Sequence, residues 1–171
     1  MPDGVFPDNV LPDELVSDRV LLATRRSRSI GMHAAIAVPP SPSEDGLFLA
    51  FESLTLDPAQ FTHRRHLAFG WRYLHQFGFP DGAARFSERL KAYVAQVGAA
   101  AKYHETITWG YLVLLNEEMA LRSTPGESFD AMISRRPDLL DHRSGALSRC
   151  YTKAQLDDPN ARQVFMLPKS A

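Results

Sequence analysis

Two short stretches carry side chains able to do chemistry. The first is Lys102-Tyr103-His104-Glu105-Thr106-Ile107-Thr108-Trp109, which gathers an imidazole, a carboxylate, a phenol and two hydroxyls. The second lies about forty residues earlier, at Phe61-Thr62-His63-Arg64-Arg65-His66-Leu67. His63 and His66 are three residues apart, so a helix puts them on one face. His104 shares a face with Thr108 and Tyr111 by the same rule. If the two helices pack together, three imidazoles (His63, His66, His104) and the Glu105 carboxylate converge. That donor set suits a divalent transition metal, namely zinc, iron, manganese or nickel. It equally suits metal-free acid–base work, with His104 or Glu105 carrying the proton and Tyr103 and Thr108 donating hydrogen bonds. Arg64 and Arg65 can hold an anionic group of a small-molecule ligand by paired N–H bonds. Trp109 can stack on a ligand or fill the core.

Each of these residues has a plainer use. His104 and Glu105 can satisfy free amides at a helix start, where the helix dipole favours a carboxylate. A buried His–Glu pair can serve packing alone, since buried polar groups need partners. Arg64 and Arg65 fit a solvated face. His75 and His142 belong to no cluster and read as surface. Known catalytic patterns are missing. In the zinc-protease helix a second histidine stands four residues after the first, and here that position is Thr108. The Glu-x-x-His pair of di-iron bundles, the Gly-x-Ser-x-Gly elbow, the P-loop and the Gly-rich dinucleotide turn do not occur.

The elements that must position these residues are helices. Thr62 is a suitable N-cap for a helix over 62–77, stopped by Gly78 with Pro80 beyond. Its inward stripe reads His63, His66, Leu67, Gly70, Trp71, Leu74. Asp81 caps a second helix to about Val97, with an inward stripe Ala84, Phe86, Leu90, Tyr93, Val94, Val97. A third helix over 101–121 is apolar nearly all round until Asn116-Glu117-Glu118, so it belongs in the middle of a bundle. Its polar opening turns are then the anomaly to explain. Shorter helical segments are expected around Leu47–Leu54, Phe129–Ile133 and Leu139–Tyr151, and at the turns opened by Thr152 and Asp158-Pro159. No stretch alternates with period two long enough to argue for a sheet. The expected fold is all-α, an irregular bundle of about five or six helices.

Residues 1–45 differ in texture. Six of the twelve prolines fall there, three of them in Pro39-Pro40-Ser41-Pro42. This composition reads as a poorly ordered arm before a single helical domain over 46–171, or as sequence ahead of a start at Met32. Arg25-Arg26-Ser27-Arg28 precedes a short apolar run, but His33 interrupts that run and five acids precede it, which argues against an export signal.

Composition narrows the classes further. The chain of 171 residues has a net charge of −1, so no global field recruits nucleic acid or anionic lipid. A single cysteine, Cys150, allows no internal disulfide and fits a cytoplasmic location. No apolar run reaches the length of a membrane span. Nothing here sets the oligomeric state.

The order Phe-Thr-His-Arg-Arg-His-Leu, Trp-x-Tyr-Leu, then Lys-Tyr-His-Glu-Thr-Ile-Thr resembles a group of small bacterial proteins of unassigned activity. The resemblance covers roughly Leu47 to Leu140. It implies a single cytoplasmic helical domain with a shared site and names no substrate. Two functions follow as expectations: a small-molecule enzyme or binding protein with its pocket between the 62–77 and 101–121 helices, or a structural or adaptor protein in which the polar cluster only locks packing.

Overall fold

Local capping chemistry sets most of the helix starts. A computed structural model describes residues 43–168 apart from 123, 125 and 143. The arm expected over 1–45 therefore lies, through residue 42, outside the described residues. The Ser43 hydroxyl accepts from the Gly46 amide and opens α1 (Glu44–Glu52). Thr62 does the same for α2 (His63–Phe77), accepting from Arg65, and α2 ends at Gly78 as its sequence predicts. α3 spans Asp81–Gln96 and α4 spans Glu105–Arg122. Three shorter helices follow: α5 (Phe129–Arg135), α6 (Lys153–Asp157) and α7 (Pro159–Gln163). Short 3-10 turns cover Pro58–Gln60, Ala100–Lys102, Pro137–Leu139 and Leu147–Arg149. There is no strand among the described residues, and the fold is all-α.

Two boundaries differ from expectation. α3 is preceded by Pro80 in a helical conformation, and no side chain caps it; Asp81 is its first residue rather than its cap. The face of α3 is also set one residue earlier at its start, with Ala83 fully buried and Ala84 exposed. α4 begins at Glu105 rather than near 101, because Ala100–Lys102 forms a separate 3-10 turn.

One contiguous apolar core runs from Leu47 in α1 to Leu156 in α6. Its aromatic heart is Phe51 stacked on Phe61 at 5.5 Å, with Tyr93 and Phe69 around them. α2 packs on α3 and α4 as the amphipathic patterns require. Gly70 allows close approach, since a Cβ there would sit 3.0 Å from the Leu112 side chain. α4 is not enclosed on every side. Trp109 is half-buried, and Val113, one turn on, is 38% exposed. No helix among the described residues is long and apolar enough to cross a membrane.

Candidate functional site

The polar opening of α4 serves mainly as a clamp for the chain's last helices. His104 occupies the N-cap position. Its Nδ1 accepts the Ile107 amide at 3.3 Å, which fixes the proton on Nε2, and that Nε2–H donates to the Leu156 carbonyl at 2.9 Å. Burial first, and the nearby Arg162 charge as well, hold its pKa below the ordinary histidine value despite the bond to Leu156. Thr106 donates to the Val164 carbonyl and accepts from the Met166 amide, at 2.9 and 3.0 Å. Arg162 reaches back to the carbonyls of Ala101 and Tyr103. Part of the anomaly of a polar start on an apolar helix thus has a packing explanation: His104, Thr106 and the Ala101 and Tyr103 carbonyls pair with segments fifty or more residues further along.

Tyr103, Glu105 and Thr108 form a second arrangement, against α3. The Tyr103 hydroxyl lies 2.7 Å from the buried Ser87 hydroxyl and sits among Glu105 and Thr108. Glu105 accepts from the Trp109 indole N–H at 2.8 Å, and its other oxygen lies 2.7 Å from Lys91 Nζ. Trp109 stands edge-on to the exposed Phe79.

His63 and His66 belong to a different place. His63 is the first residue of α2 and points inward, where its Nε2 lies 2.9 Å from the Leu139 carbonyl. A carbonyl only accepts, so that nitrogen carries the proton. The loop after Leu139 is tightly folded. Gly145 and Ala146 donate to Asp141 and Asp138, and a Cβ on Gly145 would collide with both carbonyls. This turn delivers half-buried His142 to 5.8 Å from the His63 ring. His142 is therefore not a free surface histidine, as expected from sequence. Tyr111 of α4 stands edge-on to His63 at 5.0 Å, and His66 does so at 6.3 Å. His66 itself packs against both Phe61, at 5.7 Å, and Phe86, at 5.4 Å.

The electrostatics of this cluster favour neutral groups. Burial, and then the neighbouring His63, bring the His66 pKa down to about 3. Burial, and then the Asp141 charge, raise the Tyr111 phenol well above its ordinary value. Both His66 ring nitrogens and the Tyr111 hydroxyl are buried without a hydrogen-bond partner. Such orphans are uncommon, because an unmade buried hydrogen bond costs roughly 1–3 kcal/mol.

The structure therefore divides the expected site. α2 and α4 do pack, and His63 and His66 do sit together. His104 and Glu105 do not join them. His104 precedes Tyr111 by seven residues, about 10 Å along a helix axis, and both of its ring nitrogens are engaged. Among the described residues no three His, Cys, Asp or Glu side chains are grouped to hold a metal ion. The expected zinc, iron, manganese or nickel centre thus lacks the donors that were to come from His104 and Glu105. Arg64 and Arg65 turn away from the histidines. Arg64 pairs with Asp130, and Arg65 with Glu44 and Gln60, on a groove between α1, α2 and α5.

Sequence reasoning missed Glu118. Its carboxylate is fully buried and accepts from Arg122, Arg135 and Arg136 at 2.8, 3.0 and 2.8 Å. In the sequence it stands within Asn116-Glu117-Glu118, which marks only where the apolar run of the helix ends. No protein-family model, curated protein or solved structure matches the chain.

Proposed function

We propose that the protein binds a small molecule, as an enzyme or a binding protein, at the buried polar site where His63, His66 and Tyr111 meet between α2 and α4. The observation that carries this reading is the trio of orphaned buried atoms, Nδ1 and Nε2 of His66 and the Tyr111 hydroxyl. A network built only for packing pairs such groups. A neutral imidazole offers one donor and one acceptor, and a protonated phenol offers a donor. The fitting ligand is uncharged and carries both donor and acceptor groups. Half-buried His142, with its ring 5.8 Å from that of His63, lies at the edge of this site. In a reaction, His63 is the proton carrier, standing between His142 and Tyr111.

The rival reading, a structural or adaptor protein, draws support from the other half of the motif. His104, Thr106 and Arg162 have packing partners and suffice to explain their own presence. A cytoplasmic location and kinship with the small bacterial helical proteins are part of our reading. The single thiol of Cys150 supports the first.

The test is thermal melting of the full chain against a library of small uncharged polar compounds, with His66→Phe and Tyr111→Phe alongside. A ligand at a hundredfold excess over its Kd stabilises the native state by roughly 2.7 kcal/mol, and both variants should lose that response. If both variants are simply more stable, and no compound distinguishes them from the parent, the packing role wins.

A further inference from the structure

On the face of α2 turned away from His66, Arg64, Ala68 and Arg72 follow one another at four-residue spacing. They line one side of a helix, with the two arginines about 12 Å apart along its axis. Ala68, with no long side chain, leaves a dip between them. Trp71 and Phe129, edge-on at 6.0 Å, wall the dip. The result is a cleft of about 610 Å³ between α1, α2 and α5. A volume of this size, with aromatic walls and a few fixed polar groups, is what small-ligand sites have.

From this geometry we infer that the cleft binds a small organic anion with a flat apolar body, at a site separate from the one built on His66. The Arg64 guanidinium lies 5.4 Å over the Phe129 ring, and that of Arg72 lies 4.1 Å over Phe48. Arg64 is thus held against an aromatic wall of the cleft itself, and Arg72, which also lines the cleft, is held by an aromatic face just outside it. Each is paired with one aspartate: Arg64 Nη2 to Asp130 and Arg72 Nη1 to Asp45, both at 2.6 Å. Those aspartates are 79% and 80% exposed. Ion pairs so open to water hold little free energy, so a ligand carboxylate exchanges for them at small cost. A guanidinium has five N–H donors, which also lets a second carboxylate join without displacing the first. The flat body rests on Ala68 and against Trp71. A charged head alone would lack the apolar contact, and a neutral aromatic would leave the guanidiniums on their surface aspartates. The combination is what the cleft selects.

The experiment is isothermal titration of the full chain with naphthalene-2-carboxylate and with naphthalene-2-carboxamide, which share a ring system and differ in charge. The carboxylate should bind about tenfold or more tightly than the amide, as one charge-assisted contact provides. The difference should shrink as salt is raised. Arg64→Gln with Arg72→Gln should abolish the preference while the helical circular dichroism is unchanged, since the two side chains are 46% and 43% exposed and glutamine keeps much of their length; each single variant should reduce it. Equal binding of the two compounds, binding of neither, or a preference that survives the double substitution would overturn the assignment.

Discussion

Nε2 of His104 donates to the carbonyl of Leu156 at 2.9 Å, so the start of α4 is bonded to the end of α6 across 52 residues. The same ring caps its own helix through Ile107. His104→Ala removes a cap and leaves a buried carbonyl unpaired, at a combined cost of about 2–3 kcal/mol. Asparagine caps well but is too short to reach Leu156, so His104→Asn should lose about half as much. Urea unfolding gives the two values, and hydrogen exchange should show α6 and α7 opening first. An alanine variant as stable as the parent would mean that the clamp does not hold the C-terminal helices.

His66 should give the protein an acid-side instability. Above pH 6.5 the residue is neutral in both folded and unfolded chains, and proton uptake favours neither. Below 6.5 the unfolded chain takes up a proton that the native state refuses until about 3, so stability falls through that window as pH drops. At about pH 5 the loss attributable to His66 is roughly 2 kcal/mol. His104, also held below its ordinary value, adds to the loss with the same sign. His66→Phe should flatten the slope between pH 7 and 5 by about that 2 kcal/mol, leaving the His104 part. An unchanged slope in urea melts at the two pH values would count against a neutral buried His66.

How much of this could be read beforehand depends on the range over which each feature is determined. The limits of α2 follow from neighbours in sequence, Thr62 and Gly78, and were legible. So was the pairing of α2 with α4, because two apolar stripes must cover each other. The duty of His104 was open to two readings, and its partner Leu156 lies too far along the chain for spacing to reveal. His142 looked solitary because only the fold of the 138–146 loop, closed by the Ala146 bond to Asp138, carries it to His63. The separation of His104 from His63 and His66 was hidden for a related reason. Helical periodicity assigns residues to a face, and His104 and Tyr111 do share one, but it does not say which turn of that face meets the partner helix.

Glu118 offers the sharpest contrast between buried and exposed charge. Burial alone would raise its pKa, but hydrogen bonds from Arg122, Arg136 and Arg135 outweigh that and hold it below the ordinary carboxylate value. Its stabilising contribution is therefore complete above pH 4.5 and is lost as pH falls through the lowered native pKa. Replacing the fully buried carboxylate strands three guanidiniums around one void. Glu118→Ala should cost roughly 3 kcal/mol, the low end for a broken buried pair, because the guanidiniums still reach water. Arg122 is 54% exposed and is only one of the three donors, so Arg122→Ala should cost under about 1 kcal/mol. Arg135 and Arg136 are further tied to Glu127 and Asp138, which keeps the α5 end of the network in place when Arg122 is lost. Chemical unfolding of the two variants at neutral pH measures the ratio. Equal costs would mean that Glu118 is far better hydrated than its enclosure by three arginines implies.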